Sequence, residues 1–75
     1  MNNFKYGEIV QVIGPIVDVR FEKNYLPKLL TALKIDLGNN NSLTIEVLQH
    51  IGDDLVRAVS MGQTDGLVRG MKVLN

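Results

Sequence analysis

The stretch QVIGPIVDVRF, Gln11 to Phe21, places the pair Gly14-Pro15 between two runs of strand-forming residues. A glycine between strands can open a phosphate-binding loop. Such loops need several glycines with a lysine, or a GxGxxG that leads into a helix, and the sequence contains neither pattern. Proline also lacks a backbone N–H that a phosphate nest would use. Gly14 and Pro15 are therefore interpreted as a structural corner, where the strand bends.

The single histidine, His50, is the second candidate for chemistry. It ends an alternating strand, and its parity matches that of Thr44 and Glu46. A general base needs a nearby nucleophile and an orienting partner. Ser60 and Thr64 are the plausible local nucleophiles, but no spacing ties them to His50. The sequence therefore predicts a structural, hydrogen-bonded histidine.

The pair Asp53-Asp54 could suggest a two-carboxylate site. Adjacent residues on a strand point to opposite faces, however, and aspartates in turns accept hydrogen bonds from nearby backbone groups. Thr64-Asp65-Gly66 has the same turn character. The sequence thus predicts no catalytic residue, no cofactor-binding residue and no metal ligand, but it predicts structural turns at Gly14, Pro15, Gly52, Gly66 and Gly70.

Three arginines, Arg20, Arg57 and Arg69, lie on separate segments among apolar neighbours. Two interpretations stay open for them: structural ion pairs, or anchors at a protein interface, where arginine is enriched. Arg57 and Arg69 are the stronger candidates for structural bonds, because both lie near turn glycines whose carbonyl groups lack strand partners.

Length and composition limit what these residues can do. A chain of 75 residues is one small domain with a marginal core, so we expect support from partners and not a complete enzyme. There is no cysteine, and eight basic side chains balance eight acidic ones. A nucleic-acid-binding small barrel, the alternative function, would be expected to show a basic excess and stacking aromatics, whereas the chain has only Phe4, Tyr6, Phe21 and Tyr25. No apolar run approaches the length of a membrane span, and the N-terminus shows no signal or transit peptide.

The elements that must position these residues are strands. Alternation and β-branched residues predict six of them, with one connector over 23–31 in which Pro27 allows a short helical turn and the leucines cover an open end of the sheet. The predicted strands are 6–13, 16–22, 32–37, 42–51, 55–61 and 71–74. Their spacing predicts an all-β fold, a small antiparallel barrel or sandwich, and closure into a barrel would remove exposed strand edges.

Four blocks of the sequence carry a resemblance to a known family. They are YGEIVQVIGPIVDVRF (6–21), LPKLLTAL (26–33), LTIEVLQHIGDDLVRAVSM (43–61) and TDGLVRGMKV (64–73). Together they resemble the N-terminal β-barrel of the F-type ATP synthase β subunit over nearly the whole chain. The resemblance implies a closed six-stranded barrel, as one domain over 1–75, that alternates with the barrels of α subunits in a ring of six.

The same resemblance implies where the chemistry of the parent protein lies. In the family, ATP, ADP and Mg are held by a later nucleotide-binding domain, so no catalytic residue is carried over to this segment, and we expect the nucleotide-binding and C-terminal domains of the parent to be absent here. The parent couples proton flow to the formation of ATP. For a bacterial source, the resemblance also implies a peripheral complex on the cytoplasmic face of the inner or plasma membrane. It implies no direct membrane contact and no nucleic acid bound by this domain.

Overall fold

Six strands account for most of the chain in the computed structural model, which describes residues 6–75. They are β1 (Tyr6–Ile13), β2 (Ile16–Arg20), β3 (Ala32–Gly38), β4 (Asn41–His50), β5 (Leu55–Ser60) and β6 (Lys72–Leu74). All neighbours pair antiparallel in the order β1-β2-β5-β4-β3-β6, and β6 pairs with β1 to close the barrel. The predicted all-β closed barrel of six strands is confirmed. Residues 1–5, which include Phe4 and on which the prediction of no signal peptide rests, lie outside the described residues.

The core is the inside of the barrel, because the alternating apolar side chains of every strand point inward. Nearly all of these side chains are fully buried: Ile9, Val17, Val19, Phe21, Leu33, Ile35, Leu43, Ile45, Val47, Val56, Ala58 and Val73. Gly7 is part of this packing. A Cβ at this position would lie 2.5 Å from Val19 Cγ1 and 2.6 Å from Phe21 Cζ. The sequence did not indicate this requirement for glycine, since it arises from contacts across strands.

Register shifts on three strands change which side chains face outward. The register slips by one residue between Ile9 and Gln11 on β1, between Asp36 and Gly38 on β3, and between Val47 and Gln49 on β4, so Val10, Leu37 and Leu48 are extra residues. After the bulge on β4, His50 pairs in register with the buried Val56, so it lies on the inward-facing side of the strand, although its own side chain is exposed at the strand end. The parity that grouped His50 with Thr44 and Glu46 is wrong, because strict alternation does not anticipate a bulge.

Gly14-Pro15 forms a two-residue hairpin turn between β1 and β2. Val12 pairs with Val17, and Ile13 pairs with Ile16, directly before and after it. Gly14 has a φ of +56°, and the proline ring fixes a negative φ at the next position, which are the signs of a type II′ turn. The chain reverses direction here, and the expected corner in a bending strand is replaced by the end of a hairpin.

The connector between β2 and β3 departs from its prediction. A short 3₁₀ turn lies at Lys23–Tyr25, before Pro27 and not after it. A β-turn follows, in which Thr31 N–H donates to the Lys28 carbonyl at 3.2 Å. Leu26 packs against the core, but Leu29 and Leu30 are 55% and 69% exposed, so they do not cover an end of the sheet. No helix in the described residues is long and apolar enough to cross a membrane.

Candidate functional site: the outer wall of the barrel

An ion-pair network lies on the outer wall of the barrel, on the strands β1, β2 and β5. Gln11, Asp18 and Arg57 pair in register across the three strands. Arg57 Nε donates to Asp18 Oδ1 at 2.9 Å, and Arg57 Nη2 donates to Asp18 Oδ2 at 3.1 Å. Gln11 Nε2 donates to the same Oδ2 at 3.2 Å. The bulge at Val10 is what brings Gln11 opposite Asp18, because without it the two side chains would lie on different faces.

Asp18 is the most unusual member of this network. It is only 4% exposed although it lies on the outer wall, and it is the one buried charged side chain among the described residues. Two donors from one guanidinium and a third from an amide satisfy its carboxylate, which is the arrangement that makes a buried charge tolerable. The hydrogen bond with Asp18 and its negative charge both raise the pKa of Arg57. The pair therefore links β2 to β5 on the outer wall.

The other two arginines differ from Arg57. Arg20 Nε lies 3.3 Å from Asp54 Oδ2, and both side chains are about half exposed, so this is a surface ion pair. Arg69 is exposed, and its side chain makes no hydrogen bond or ion pair with another described residue. The structural bond of Arg57 is made to a carboxylate and not to a turn carbonyl, and the expected bond of Arg69 is absent from the described part of the chain.

An apolar strip runs beside the ion-pair network on the same outer wall. Ile13, Ile16 and Val59 are consecutive partners across β1, β2 and β5. On the next strand, Leu48 lies between Glu46 and Gln49, which pair with Val59 and Arg57. The Leu30 N–H donates to the Val47 carbonyl at 2.7 Å, which places Leu30 next to this bulge. We define the apolar strip as these five residues: Ile13, Ile16, Val59, Leu48 and Leu30.

The residues that suggested nucleophilic chemistry are not brought together. His50 Nε2 lies 2.7 Å from the Pro27 carbonyl oxygen, a contact that ties β4 to the connector. Ser60 Oγ donates to the Gly62 carbonyl at 2.6 Å, and Thr64 Oγ1 donates to the Gly14 carbonyl at 2.8 Å. Each of these three side chains therefore makes its hydrogen bond to a different backbone segment. The predicted hydrogen-bonded, structural role of His50 agrees with this geometry.

The predicted turn residues have backbone conformations and backbone hydrogen bonds that are typical of turns. Gly52, Gly66 and Gly70 all lie outside strands and have positive φ values. The Leu67 N–H donates to the Thr64 carbonyl at 3.1 Å across the Asp65-Gly66 turn. Asp54 accepts from Phe21 N–H through its carbonyl, at 2.8 Å, while its carboxylate pairs with Arg20.

An open cleft of about 900 Å³ lies at the end of the barrel where β1 begins and β6 runs. Its rim mixes carboxylates such as Glu8 and Asp53 with cations such as Arg20 and Lys72. The Lys72 ammonium lies 5.2 Å from the centre of the Tyr6 ring, in cation–π range. Among the residues that the structure describes, no three His, Cys, Asp or Glu side chains form a group that could hold a metal ion. The cleft therefore presents a solvated surface of mixed charge.

The comparison with known families identifies the barrel itself. The model of the ATP synthase alpha/beta family, beta-barrel domain, matches residues 9–75. This chain belongs to the ATP synthase alpha/beta family. Within that family the matched unit is the non-catalytic barrel module, and the family context is an alpha/beta hexameric assembly. We take the outer wall of the barrel, which carries the ion-pair network and the apolar strip, as the candidate functional surface.

Proposed function

We propose that this chain is the N-terminal barrel of the β subunit of an F-type ATP synthase and that it serves as an assembly module of the alternating α and β head. The observation that carries the proposal is the match of residues 9–75 to the barrel domain of the ATP synthase alpha/beta family. The four blocks quoted above support the narrower assignment to the β subunit. In this proposal the parent makes ATP from ADP and phosphate with energy from a proton gradient.

The physical properties of the barrel support a role in assembly. Among the described residues the buried core consists of twelve apolar side chains, which is a marginal core for a chain of this size. Neighbouring barrels in a closed ring would stabilise it by mass action and by burial of the apolar strip. ATP, ADP and Mg belong, in this proposal, to a nucleotide-binding domain of the parent. In a bacterial parent, the complex would be peripheral, on the cytoplasmic face of the inner or plasma membrane.

A domain exchange tests the assignment to the β subunit. The barrel of a characterised F-type β subunit is replaced by this chain, and in a matched control the barrel of the α subunit is replaced instead. We expect a hexameric head with ATPase activity from the β exchange and little or no hexamer from the α exchange, measured by native mass spectrometry. Equal assembly from both exchanges, or from the α exchange alone, would contradict the β assignment.

Nucleotide binding gives a second test. An assembly module without its nucleotide-binding domain should give no heat with ATP and Mg in isothermal titration calorimetry. A dissociation constant in the micromolar range for the isolated chain would show that the proposal is wrong.

A further inference from the structure

β6 is the shortest strand of the described barrel. It comprises three residues, Lys72–Leu74, whereas β4 comprises ten. On one side β6 pairs with β1, from Tyr6 to Glu8. On the other side it pairs with β3 at one position, where Leu74 lies opposite Lys34. The junction between β6 and β3 is thus the shortest ladder of the closed barrel, and we expect the barrel to open there first.

One side chain of β6 anchors the strand in the core. Val73 is fully buried, whereas Lys72 is exposed and Leu74 is 39% exposed. An opened β6 would therefore leave a slot between β1 and β3 that fits one β-branched side chain. The backbone edges of β1 and β3 would be uncovered at the same time, and an unpaired strand edge is a template for pairing with another strand.

A tight turn directly before β6 determines where the opened strand can go. The Met71 N–H donates to the Val68 carbonyl at 3.3 Å, and Gly70 has a φ of +94°, which is typical of a type II turn. The Arg69 side chain makes no hydrogen bond or ion pair with another described residue, so it does not hold this turn closed. When the turn straightens, residues 68–71 span about 13 Å, which is enough to carry β6 away from its own barrel.

The loop before this turn is anchored independently of β6. Thr64 Oγ1 donates to the Gly14 carbonyl at 2.8 Å, and Leu67 packs against the core. Neither contact involves β6. The movement is therefore confined to the turn and to β6, and the other strands keep their pairing with one another.

We propose that β6 is an exchangeable strand and that the slot between β1 and β3 accepts β6 from a second copy of this chain, so that two copies form a strand-exchanged dimer. A second copy fits the slot because its β6 has the same sequence. It returns Met71 and Val73 to the core and places Leu74 opposite Lys34. The exchange keeps the hydrogen bonds of the strand and changes only the turn before it, which makes the dimer accessible. At low concentration the closed monomer dominates, because its own β6 is always nearby.

Hydrogen exchange of the dilute chain tests the opening of β6. The Ile9 N–H donates to the Met71 carbonyl at 3.0 Å, and the Gly70 N–H donates to the Ile9 carbonyl at 2.8 Å, so both bonds break when β6 leaves β1. The Val47 N–H donates to the Thr31 carbonyl at 3.0 Å and is unaffected. We expect the first two amides to exchange at least about tenfold faster than that of Val47. Equal rates would show that the barrel opens only as a whole and would contradict the proposal.

A mixture of two cysteine variants tests the exchange itself. The original chain has no cysteine, and Lys34→Cys in one chain and Leu74→Cys in another place the thiols on register partners across the β3–β6 junction. Such partners lie within the Cα separation that a disulfide needs. The two variants are unfolded together, refolded at millimolar concentration and oxidised, and the linked peptides are identified by mass spectrometry.

In this mixture only strand exchange brings residue 34 of one chain next to residue 74 of the other. We expect the 34–74 disulfide to exceed the 34–34 and 74–74 disulfides by about tenfold. Equal amounts of the three disulfides would indicate random collision and would overturn the proposal. So would the absence of the 34–74 disulfide.

Substitution in the turn separates strand exchange from ordinary association. Gly70→Val strains the closed turn, because valine is disfavoured at a φ of +94°, and the strain is released when the turn straightens. Two turns straighten in each dimer, so the association constant of the dimer, measured by analytical ultracentrifugation, should rise about thirtyfold. Gly70→Ala carries strain of the same kind with a smaller side chain, and it replaces Gly70→Val where that variant does not refold.

Gly66→Val is the matched control. Gly66 has a φ of +89°, and a Cβ there meets no atom within 4 Å, but its turn is the same in the monomer and in the exchanged dimer. The association constant should therefore stay within about twofold of that of the original chain. Equal increases for the variants at Gly70 and Gly66 would contradict the hinge before β6. Because the exchange involves β6 and not the outer wall, a negative result leaves the proposed function unaffected.

Discussion

The barrel contains two hairpins of similar construction and different surfaces. Gly14-Pro15 joins β1 to β2, and Asn39-Asn40 joins β3 to β4, each as a two-residue turn with at least one positive φ. Both hairpins bury apolar side chains on the inside. The difference is on the outside: the first hairpin carries Ile13, Ile16 and the buried Asp18, whereas the second carries Lys34, Asp36 and Thr44.

This difference teaches that turn chemistry and surface role are separate properties. The turns need only residues that tolerate a positive φ, and glycine or asparagine satisfies this need in either hairpin. The side chains on the outer face decide whether that face of the hairpin contacts solvent or another molecule. We therefore expect changes in the first hairpin to have larger effects, on stability as well as on contact, than equivalent changes in the second.

The largest expected effect is on the inner side of the first hairpin. Gly7→Ala places a Cβ within 2.6 Å of both Val19 and Phe21, and these side chains belong to the closed core. Such overpacking should lower the free energy of unfolding by about 3 kcal/mol. The matched change in the second hairpin is Gly38→Ala, which meets no atom within 4 Å and carries only the strain of its positive φ, about 1 kcal/mol. Urea denaturation compares the two, and an equal loss in both would contradict the crowding at Gly7.

The next largest expected effect is the difference in stability loss between removing a buried aspartate and removing an exposed one. Asp18→Ala removes the acceptor of three hydrogen bonds at a 4% exposed position, and we expect a loss of about 2 kcal/mol, with Arg57 partly rehydrated. Asp36→Ala removes a single exposed bond from Gly38 N–H and should lower stability by about 0.5 kcal/mol. Thermal denaturation of both variants measures the difference. A smaller loss for Asp18→Ala than for Asp36→Ala would show that the ion-pair network does not stabilise the first wall.

A third prediction concerns the turn of the first hairpin. Gly14→Val should lower stability by about 1 to 2 kcal/mol, because a β-branched residue is strained at a φ of +56° even where there is space for its side chain. Gly14→Asn is the control, since asparagine tolerates this region, and it should lose less than half as much. Chemical denaturation checks both, and native stability in Gly14→Val would exclude the tight turn described for Gly14-Pro15.

The smallest expected effect concerns pH. The contribution of Arg57 to the free energy of unfolding should not change with pH over the range tested. The hydrogen bond from Arg57 to Asp18 and the negative charge of Asp18 raise the pKa of Arg57 above its ordinary value. The stability from this contact is therefore fully present below the ordinary arginine pKa and is lost only as pH rises through the raised value. The difference in unfolding free energy between the original chain and Arg57→Met should be constant from pH 6 to pH 10. A difference that shrinks within this range would mean that another group, not Arg57, holds the charge.

The sequence predicted the strands and most of their bounds, because the period of two in segments such as Leu43, Ile45 and Val47 is set by the pleat alone. It could not predict the bulges at Val10 and Leu48, since an extra residue in a strand has no distinctive type. For this reason the prediction of which face of the strand carries His50 was wrong. The position of the 3₁₀ turn was also missed, because a turn of this length depends on local contacts more than on intrinsic preference.

The sequence by itself determined an all-β barrel with structural turns and the resemblance that led to its family, because alternation, turn residues and ordered motifs are local properties of the chain. Only the tertiary structure decided the ion pair between Asp18 and Arg57, which are separated by 39 positions along the chain. It also decided that Val59 of β5 lies beside Ile13 and Ile16 of the first hairpin on one outer wall. Both depend on register across strands, and register is fixed when the closed barrel packs its core, not by any one segment.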